Sequence, residues 1–271
     1  LHLSLRRQRQ MCIRDRIYLF SKSSSTPIWI HVADNKINDV AISKDGNYIV
    51  AGTKGEILFF SRTSSSPLWS YVTKKPVYSV AITSDGSYIV AGGATHEENE
   101  KNVWIFGKDS NSPIFSAYMP PSKQFSPSPF ASVTSVGIFP TGAYASFASG
   151  DLGVSTFYVY NQKQGEILWS QEYLAVPWVD VVMCLDGNHV VMGADNVYLF
   201  SIKDNRVVWK YHLPGGALNP SASFDGSFIV VSGDKLYLFG LEQTSGRLFL
   251  PMIAILVISL CVLVWLWRMK L

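Results

Sequence analysis

The chain has 271 residues, of which 48% are apolar and 16% are charged, and its formal net charge is +3. This composition supplies enough apolar side chains for a sizeable core. The first 16 residues hold five arginines and one aspartate, a net charge of +4, which leaves −1 for the rest of the chain. Because the remainder carries no basic field, the sequence predicts no nucleic-acid partner.

Residues 1–16 show no strand alternation, no repeat and no apolar region of a signal peptide. The segment Arg6 to Arg16 resembles the string that arises when sequencing-adapter DNA is translated at the end of an assembled contig. We therefore interpret residues 1–16 as a non-native head. The alternative is a basic arm that binds nucleic acid or lipid headgroups.

From residue 17 onward the chain repeats one unit with a period of about 40 residues. Two short runs joined by a tight turn start each copy, at Ile37, Val77, Val133, Trp178 and Ala217. Four of these turns contain Asp-Gly, a pair that tolerates positive φ, and the copy that starts at Val133 has Thr141-Gly142 instead. An aromatic-rich third run follows each pair, at residues 57–60, 103–106, 157–160, 197–200 and 236–239. A fourth run then ends at Trp69, Phe115, Trp169 or Trp209. The unit is thus four short strands, which we name a, b, c and d.

Four-stranded antiparallel units with this period resemble the β-propeller of the prokaryotic WD40-like and PQQ-like (quinoprotein-type) families. The WD dipeptide is absent, and the stretch from Gly165 to Trp169 is similar to the Gly-x-x-x-Trp of PQQ-type repeats. The resemblance implies an all-β propeller of four-stranded antiparallel blades over residues 17–241, with about five to six blades represented. The expected blades are 17–36, 37–76, 77–132, 133–177, 178–216 and 217–241. Because Ile17 falls on a c strand, we expect an N-terminal portion to precede it.

Residues 248–267 form an uncharged, apolar run after a linker at 242–247. Twenty such residues match the length of one membrane-spanning helix, from Leu248 to the interfacial Trp265 and Trp267, and the alternative is a buried core helix. The tail 268–271 carries Arg268 and Lys270, and basic flanks favour the cytoplasmic side. The sequence therefore predicts a single-pass protein of the cell membrane with an extracytoplasmic propeller.

Antiparallel connections place the b–c turns and the d–a loops on one face of a propeller, and the insertions of this chain fall there. One insertion, residues 94–101, contains His96, Glu97, Glu98 and Glu100. A second, residues 120–130, contains Lys123, Phe125 and Phe130, and Asp151 lies in the next b–c turn. We predict a binding face at these residues, the alternative being neutral variation in exposed loops. The acidic run lacks the Gly-punctuated Asp pattern of a calcium loop, so no metal is predicted.

The sequence holds no phosphate-binding loop, nucleophile elbow, paired-cysteine or metalloprotease motif, so neither a catalytic residue nor a cofactor is predicted. The recurring tryptophans suggest packing between blades, the alternative being a stacking platform for sugars. We therefore expect a membrane-anchored, non-catalytic binding module at the cell surface with a protein or glycan partner. Two alternatives stay open, namely a membrane-bound PQQ-dependent dehydrogenase and a scaffold in envelope protein assembly.

Overall fold

The computed structural model describes residues 15–95, 97, 100–120, 131–151, 154–174, 180–183, 187–214, 216, 218–223 and 227–240. Within these ranges the chain forms 21 β-strands in antiparallel sheets and no helix. The predicted all-β class is thereby confirmed. In the same ranges nothing has the helical length and hydropathy to cross a membrane, and the apolar run 248–267 lies outside them.

The strands form six antiparallel units in chain order, which we call blades 1 to 6. Blade 1 has two strands, blade 6 has three and the others have four. Blades 1 and 2 contain β1 (Arg16–Phe20), β2 (Pro27–Val32), β3 (Ile37–Ile42), β4 (Tyr48–Thr53), β5 (Glu56–Ser61) and β6 (Trp69–Val72). Blades 3 and 4 contain β7 (Val77–Ile82), β8 (Tyr88–Thr95), β9 (Val103–Gly107), β10 (Phe115–Ala117), β11 (Ala131–Ile138), β12 (Tyr144–Asp151), β13 (Val154–Asn161) and β14 (Glu166–Leu174). Blades 5 and 6 contain β15 (Asp180–Met183), β16 (His189–Gly193), β17 (Asn196–Ser201), β18 (Arg206–His212), β19 (Leu218–Ala222), β20 (Phe228–Ser232) and β21 (Leu236–Gly240).

The c strands of blades 2 to 5 are apolar because both of their faces are covered by neighbouring blades. In β5, Leu58 and Phe60 pack toward blade 1, while Ile57 and Phe59 pack toward blade 3. All four side chains are at most 3% exposed. A strand buried on both faces needs continuous apolar residues rather than alternation, which accounts for the aromatic-rich runs of the repeat.

Tight turns join strands a and b, and their glycines have positive φ as the Asp-Gly pairs predict. Gly46, Gly86, Gly142 and Gly187 have φ between 70° and 77°. In blade 3 the Asp85 carboxylate accepts hydrogen bonds from the hydroxyl and backbone N–H of Ser87 and from the Thr83 hydroxyl. Thr83 Oγ1 in turn accepts the backbone N–H of Tyr88 at 3.0 Å. The turn is thus fixed by side chains as well as by backbone.

Asp85 makes the stability of this turn dependent on pH. The Ser87 hydroxyl, followed by the Ser87 N–H and the Thr83 hydroxyl, lowers the pKa of Asp85 from 3.8 to about 2. A carboxylate with a lowered pKa in the folded state stabilises the fold above pH 4, and that contribution is lost between about pH 4 and 2. We expect Asp85→Asn to lower the free energy of unfolding modestly at pH 7 and the difference from wild type to vanish near pH 2.

Urea unfolding at a series of pH values measures this difference. The control is Asp109→Asn, which changes another exposed carboxylate of the same blade. A wild-type minus Asp85→Asn difference that stays constant from pH 5 to pH 2 would show that the Asp85 charge does not stabilise the turn.

Aromatic pairs join each blade to the next. Strand d of one blade contributes one ring and strand c of the following blade the other. Their ring centroids lie 4.2–5.6 Å apart, in the pairs Trp29–Phe60, Trp69–Phe106, Phe115–Tyr160, Trp169–Phe200 and Trp209–Phe239. The tryptophans therefore pack between blades, as predicted, and do not form a free stacking platform.

The a strands gather at the centre, where β3, β7, β11, β15 and β19 contact one another in succession. The third residue of each repeat copy is polar, and in blades 2 to 5 it binds the backbone of the next a strand. Asp39 Oδ2 accepts the Val80 N–H at 2.9 Å, Ser79 Oγ accepts the Val136 N–H at 3.3 Å, and Ser135 Oγ accepts the Val181 N–H at 3.1 Å. These bonds link adjacent blades around the axis and satisfy backbone groups that no sheet pairs.

Candidate partner-binding face

The b–c turns and d–a loops lie together at one end of the blades. In blade 2, for example, the backbone N–H groups of Thr73 and Lys74 in the d–a loop both donate to the carbonyl of Gly55 in the b–c turn, at 2.9 and 3.1 Å. We call this end the loop face. The predicted placement of both kinds of loop at one end is confirmed for blade 2.

The stems of the two insertions of blade 3 adjoin on the loop face. Ala94 and Thr95, where the b–c insertion starts, pair with Ser132 and Ala131, where the d–a insertion ends. This pairing joins β8 to β11, so blades 3 and 4 form one continuous eight-stranded sheet. The predicted proximity of the two insertions is therefore confirmed at their described stems.

Asn102, which follows the b–c insertion, binds Met119, which precedes the d–a insertion. Its side-chain amide donates to the carbonyl of Met119 at 3.0 Å, and its side-chain oxygen accepts the N–H of Met119 at 2.7 Å. Asn102 has no solvent exposure, and Met119 is 4% exposed. A side chain that satisfies both backbone groups of one buried residue holds that residue in a single position.

Two residues of blade 4 extend this fixed region to Pro120. Ser149 Oγ donates to the Met119 carbonyl at 2.7 Å, and the Tyr158 hydroxyl donates to the Pro120 carbonyl at 2.7 Å. Burial raises the pKa of Tyr158, so its hydroxyl stays protonated and remains a donor. The loop face of blades 3 and 4 therefore has a rigid base from which both insertions leave.

The acidic residues of the b–c insertion are partly anchored. Thr95 Oγ1 donates to Glu100 Oε2 at 2.8 Å, and Lys75 Nζ of the preceding d–a loop lies 3.9 Å from the same oxygen. Glu97 is exposed, with its backbone N–H 3.2 Å from Thr95 Oγ1. Across the described part of the chain, no group of three or more His, Cys, Asp and Glu residues is arranged to hold a metal ion.

A polar cluster on the loop face of blade 5 is absent from the sequence-based prediction. The Tyr198 hydroxyl donates to Asp195 Oδ1 at 2.8 Å, and His212 Nδ1 lies 3.0 Å from Asn196 Oδ1. Burial, as the main cause, raises the pKa of Tyr198 to about 12. The sequence contains a signal that could have predicted this cluster, namely an aspartate in the b–c turn three residues before a tyrosine, as in Asp195 and Tyr198. It recurs in blade 6, where the Tyr237 hydroxyl donates to an aspartate at 2.7 Å.

Most of the predicted site residues lie outside the described residues. Glu97 and Glu100 are described, and Asp151 is the last residue of β12, paired with Val154, with its side chain not described. The others outside the described residues are His96, Glu98, Lys123, Phe125, Phe130, Leu248, Trp265, Trp267, Arg268 and Lys270. Their predicted roles in the binding face and the membrane anchor stay predictions.

Comparison with known proteins agrees with the repeat type. The family model PQQ_2, described as outer membrane protein assembly factor BamB, matches residues 153–268. This range covers blades 4 (in part) to 6 and continues through the apolar run 248–267. No curated protein sequence matches the chain significantly.

Among solved structures, hydrazine synthase from Kuenenia stuttgartiensis is similar with a TM-score of 0.65 at 10% identity, covering 83% of this chain and 70% of that one. The β-propeller domain of Cps50 (Swd1) from Myceliophteria thermophila is similar with a TM-score of 0.60 at 10% identity, covering 80% and 69%. At such identities the likeness shows the fold alone. The chain thus has the β-propeller fold, and its residues 153–268 are similar to PQQ-like repeats.

Proposed function

We propose that this chain is a non-catalytic protein-binding propeller whose partner contacts the loop face of blades 3 and 4. The observation that carries the proposal is the fixed base of the two insertions. Asn102, Ser149 and Tyr158 all bind the Met119–Pro120 segment from which the longer insertion leaves. Loops on a rigid frame can contact a partner without a large ordering cost.

The family match supports a role in envelope protein assembly. The matching model is described as an outer membrane protein assembly factor, and it covers the repeats of the C-terminal part of the chain. In this role the partner is another envelope protein. The run 248–267 then serves as a membrane tether that holds the propeller beside its partner, with the propeller on the extracytoplasmic side.

The alternative function, a PQQ-dependent dehydrogenase, predicts a different result in an oxidation assay. A PQQ-dependent enzyme would oxidise an alcohol or sugar when the purified chain is supplied with the quinone and an electron-accepting dye. A non-catalytic propeller gives no oxidation above the quinone alone. The experiment separates the two functions without knowledge of the partner.

Shortening the b–c insertion tests the proposed site. Residues 96–99 are replaced by Asn-Gly, which leaves the pairing of Ala94 and Thr95 with β11 in place. We expect the cross-links between envelope proteins and the tagged wild-type chain in cells to be lost, because the replaced segment contains exposed Glu97 and the predicted binding residues His96 and Glu98. The urea midpoint of unfolding should stay within experimental error of wild type.

The matched control changes the opposite face of the same blade. Asp109→Asn alters the exposed c–d turn of blade 3 and should leave both cross-linking and stability unchanged. Equal cross-linking by the shortened variant and wild type would reject the loop face of blade 3 as the partner site.

A further inference from the structure

A cleft of about 320 Å³ lies between blade 3 and blade 4, beside the fixed base of the loop face. Its walls come from strand d of blade 3 and from strands c and d of blade 4. The lining residues are Phe115, Ala117, Tyr118, Met119, Pro120, Tyr158, Tyr160, Gly165 and Ile167. Six of these nine side chains have no strong hydrogen-bonding group, so the cleft is mainly apolar and aromatic.

The cleft occurs where the aromatic pair between blades differs from the others. At four described junctions strand d contributes a tryptophan and strand c a phenylalanine, whereas here the pair is Phe115 and Tyr160. At two of those four junctions the indole N–H donates to a backbone carbonyl of the next blade, at 2.9 Å in both. Phe115 has a smaller ring and no donor, so this junction keeps open space and adds a tyrosine hydroxyl to it.

The Tyr160 hydroxyl is a hydrogen-bond donor in the lining of the cleft. The residue is 4% exposed, and its ring lies 4.2 Å from the Phe115 ring and 6.3 Å from the Phe147 ring. Among the described residues no hydrogen bond satisfies its hydroxyl. Because Tyr160 lines the cleft, its hydroxyl can donate to a ligand that offers an acceptor there.

The neighbouring tyrosine shows which acceptor suits this wall. Tyr158 lies two residues earlier, on the same face of β13, and its hydroxyl binds the backbone carbonyl of Pro120 at 2.7 Å. Pro120 itself lines the cleft. The wall thus already holds one proline residue by its carbonyl oxygen, against aromatic rings, at the position next to Tyr160.

We propose that this cleft binds a proline-rich, extended segment of the protein partner, with a backbone carbonyl of that segment accepting the Tyr160 hydroxyl. This inference rests on the proposed function and names the partner's chemistry. A polyproline II segment has free carbonyls and flat apolar rings, which aromatic grooves with hydroxyl donors recognise. A sugar of the same size brings several hydroxyls that need partners, which the mainly apolar lining does not match.

Binding of a synthetic peptide to the full-length chain in detergent tests the proposal. The probe is a fluorescent decapeptide of Ala and Pro with Pro at six positions, and a Gly-Ser decapeptide is the negative probe. Fluorescence anisotropy should show saturable binding of the proline peptide alone. Tyr160→Phe, which removes only the hydroxyl, should weaken binding about fivefold.

Phe115→Trp is the decisive variant because it fills the cleft with the ring found at the other four junctions. It should weaken peptide binding more than tenfold while the thermal midpoint stays at or above that of wild type. Trp209→Phe makes the reverse change at the junction of blades 5 and 6. This control should lower the thermal midpoint and leave peptide binding unchanged.

Two results would overturn the inference. One is the absence of peptide binding to wild type at millimolar concentration, and the other is equal binding by wild type and Phe115→Trp. Neither result affects the cross-linking expected from the loop face, whose dependence on residues 96–99 is measured without the peptide. Failure of the cleft and failure of the proposed function are therefore distinguishable.

Discussion

Gly92→Ala should lower the free energy of unfolding by about 3 kcal/mol. Gly92 lies in β8, where strand b of blade 3 meets strand a of blade 4. A Cβ at this position would lie 2.4 Å from Val133 Cγ1 and 2.8 Å from Val136 Cγ1. Both valines are buried on β11, and Val133 has no solvent exposure, so neither can move aside without shifting the strand.

The same close approach recurs one blade earlier. A Cβ on Gly52 would lie 2.7 Å from Val77 Cγ1. These glycines let adjacent blades approach near the axis, where the space between strands is smallest. The effect is steric, since neither glycine has a positive φ.

Urea unfolding of Gly92→Ala measures the effect, with Gly107→Ala as the matched control. Gly107 is also in a strand of blade 3, but its Cβ would lie at an ordinary 3.6 Å from Ile114 Cδ1. The control should change the free energy of unfolding by less than about 1 kcal/mol. Equal stabilities of Gly92→Ala and Gly107→Ala would contradict the close packing of blades 3 and 4.

Asn102→Ala should destabilise the protein by about 2 to 5 kcal/mol and also impair partner binding. The change removes two hydrogen bonds and leaves both backbone groups of buried Met119 without the partner they have in wild type. Ser149 still reaches the Met119 carbonyl, so the N–H bears the larger cost. The base of the d–a insertion is then no longer held in one position.

Ser149→Ala separates the two consequences. It removes one of the bonds to the Met119 carbonyl and keeps Asn102, so it should cost about 1 kcal/mol and preserve cross-linking to envelope proteins. Cross-linking is compared at a temperature where all variants are folded by circular dichroism. Full cross-linking by folded Asn102→Ala would show that a fixed insertion base is not needed for binding.

The sequence was informative wherever local chemistry decides the structure. A c strand was predicted at Ile17, and Ile17 lies in β1 (Arg16–Phe20). The a–b turns follow from Asp-Gly pairs because positive φ is a local requirement. The packing of tryptophans between blades was predictable because one strand position repeats in every blade.

Side-chain contacts that join two loops could not be predicted in detail from the sequence. Asn102 and Met119 are 17 residues apart, and nothing in either neighbourhood marks them as partners. The axial bonds had a sequence signal, since a polar residue recurs at the third position of each repeat copy, as at Asp39 and Ser79. The cleft also had a sequence signal, because Phe115 stands where the fourth run of the other repeat copies ends in tryptophan.

Blade 6 shows how one residue alters an axial bond. Asp180 Oδ2 accepts the N–H of Asn219 at 3.1 Å, one residue earlier than the equivalent bonds of the other blades. The next residue is Pro220, which has no N–H to donate. Asn219 has a φ of 47°, a conformation that asparagine tolerates better than most residues.

Photo-cross-linking from both faces of blade 3 tests whether the partner binds to the loop face. A photoreactive phenylalanine is placed either at exposed Glu97 on the loop face or at exposed Ser112 in the c–d turn of the opposite face. In living cells we expect an envelope protein to cross-link from position 97 and none from position 112. Cross-links from position 112 in the absence of any from position 97 would contradict a partner bound to the loop face.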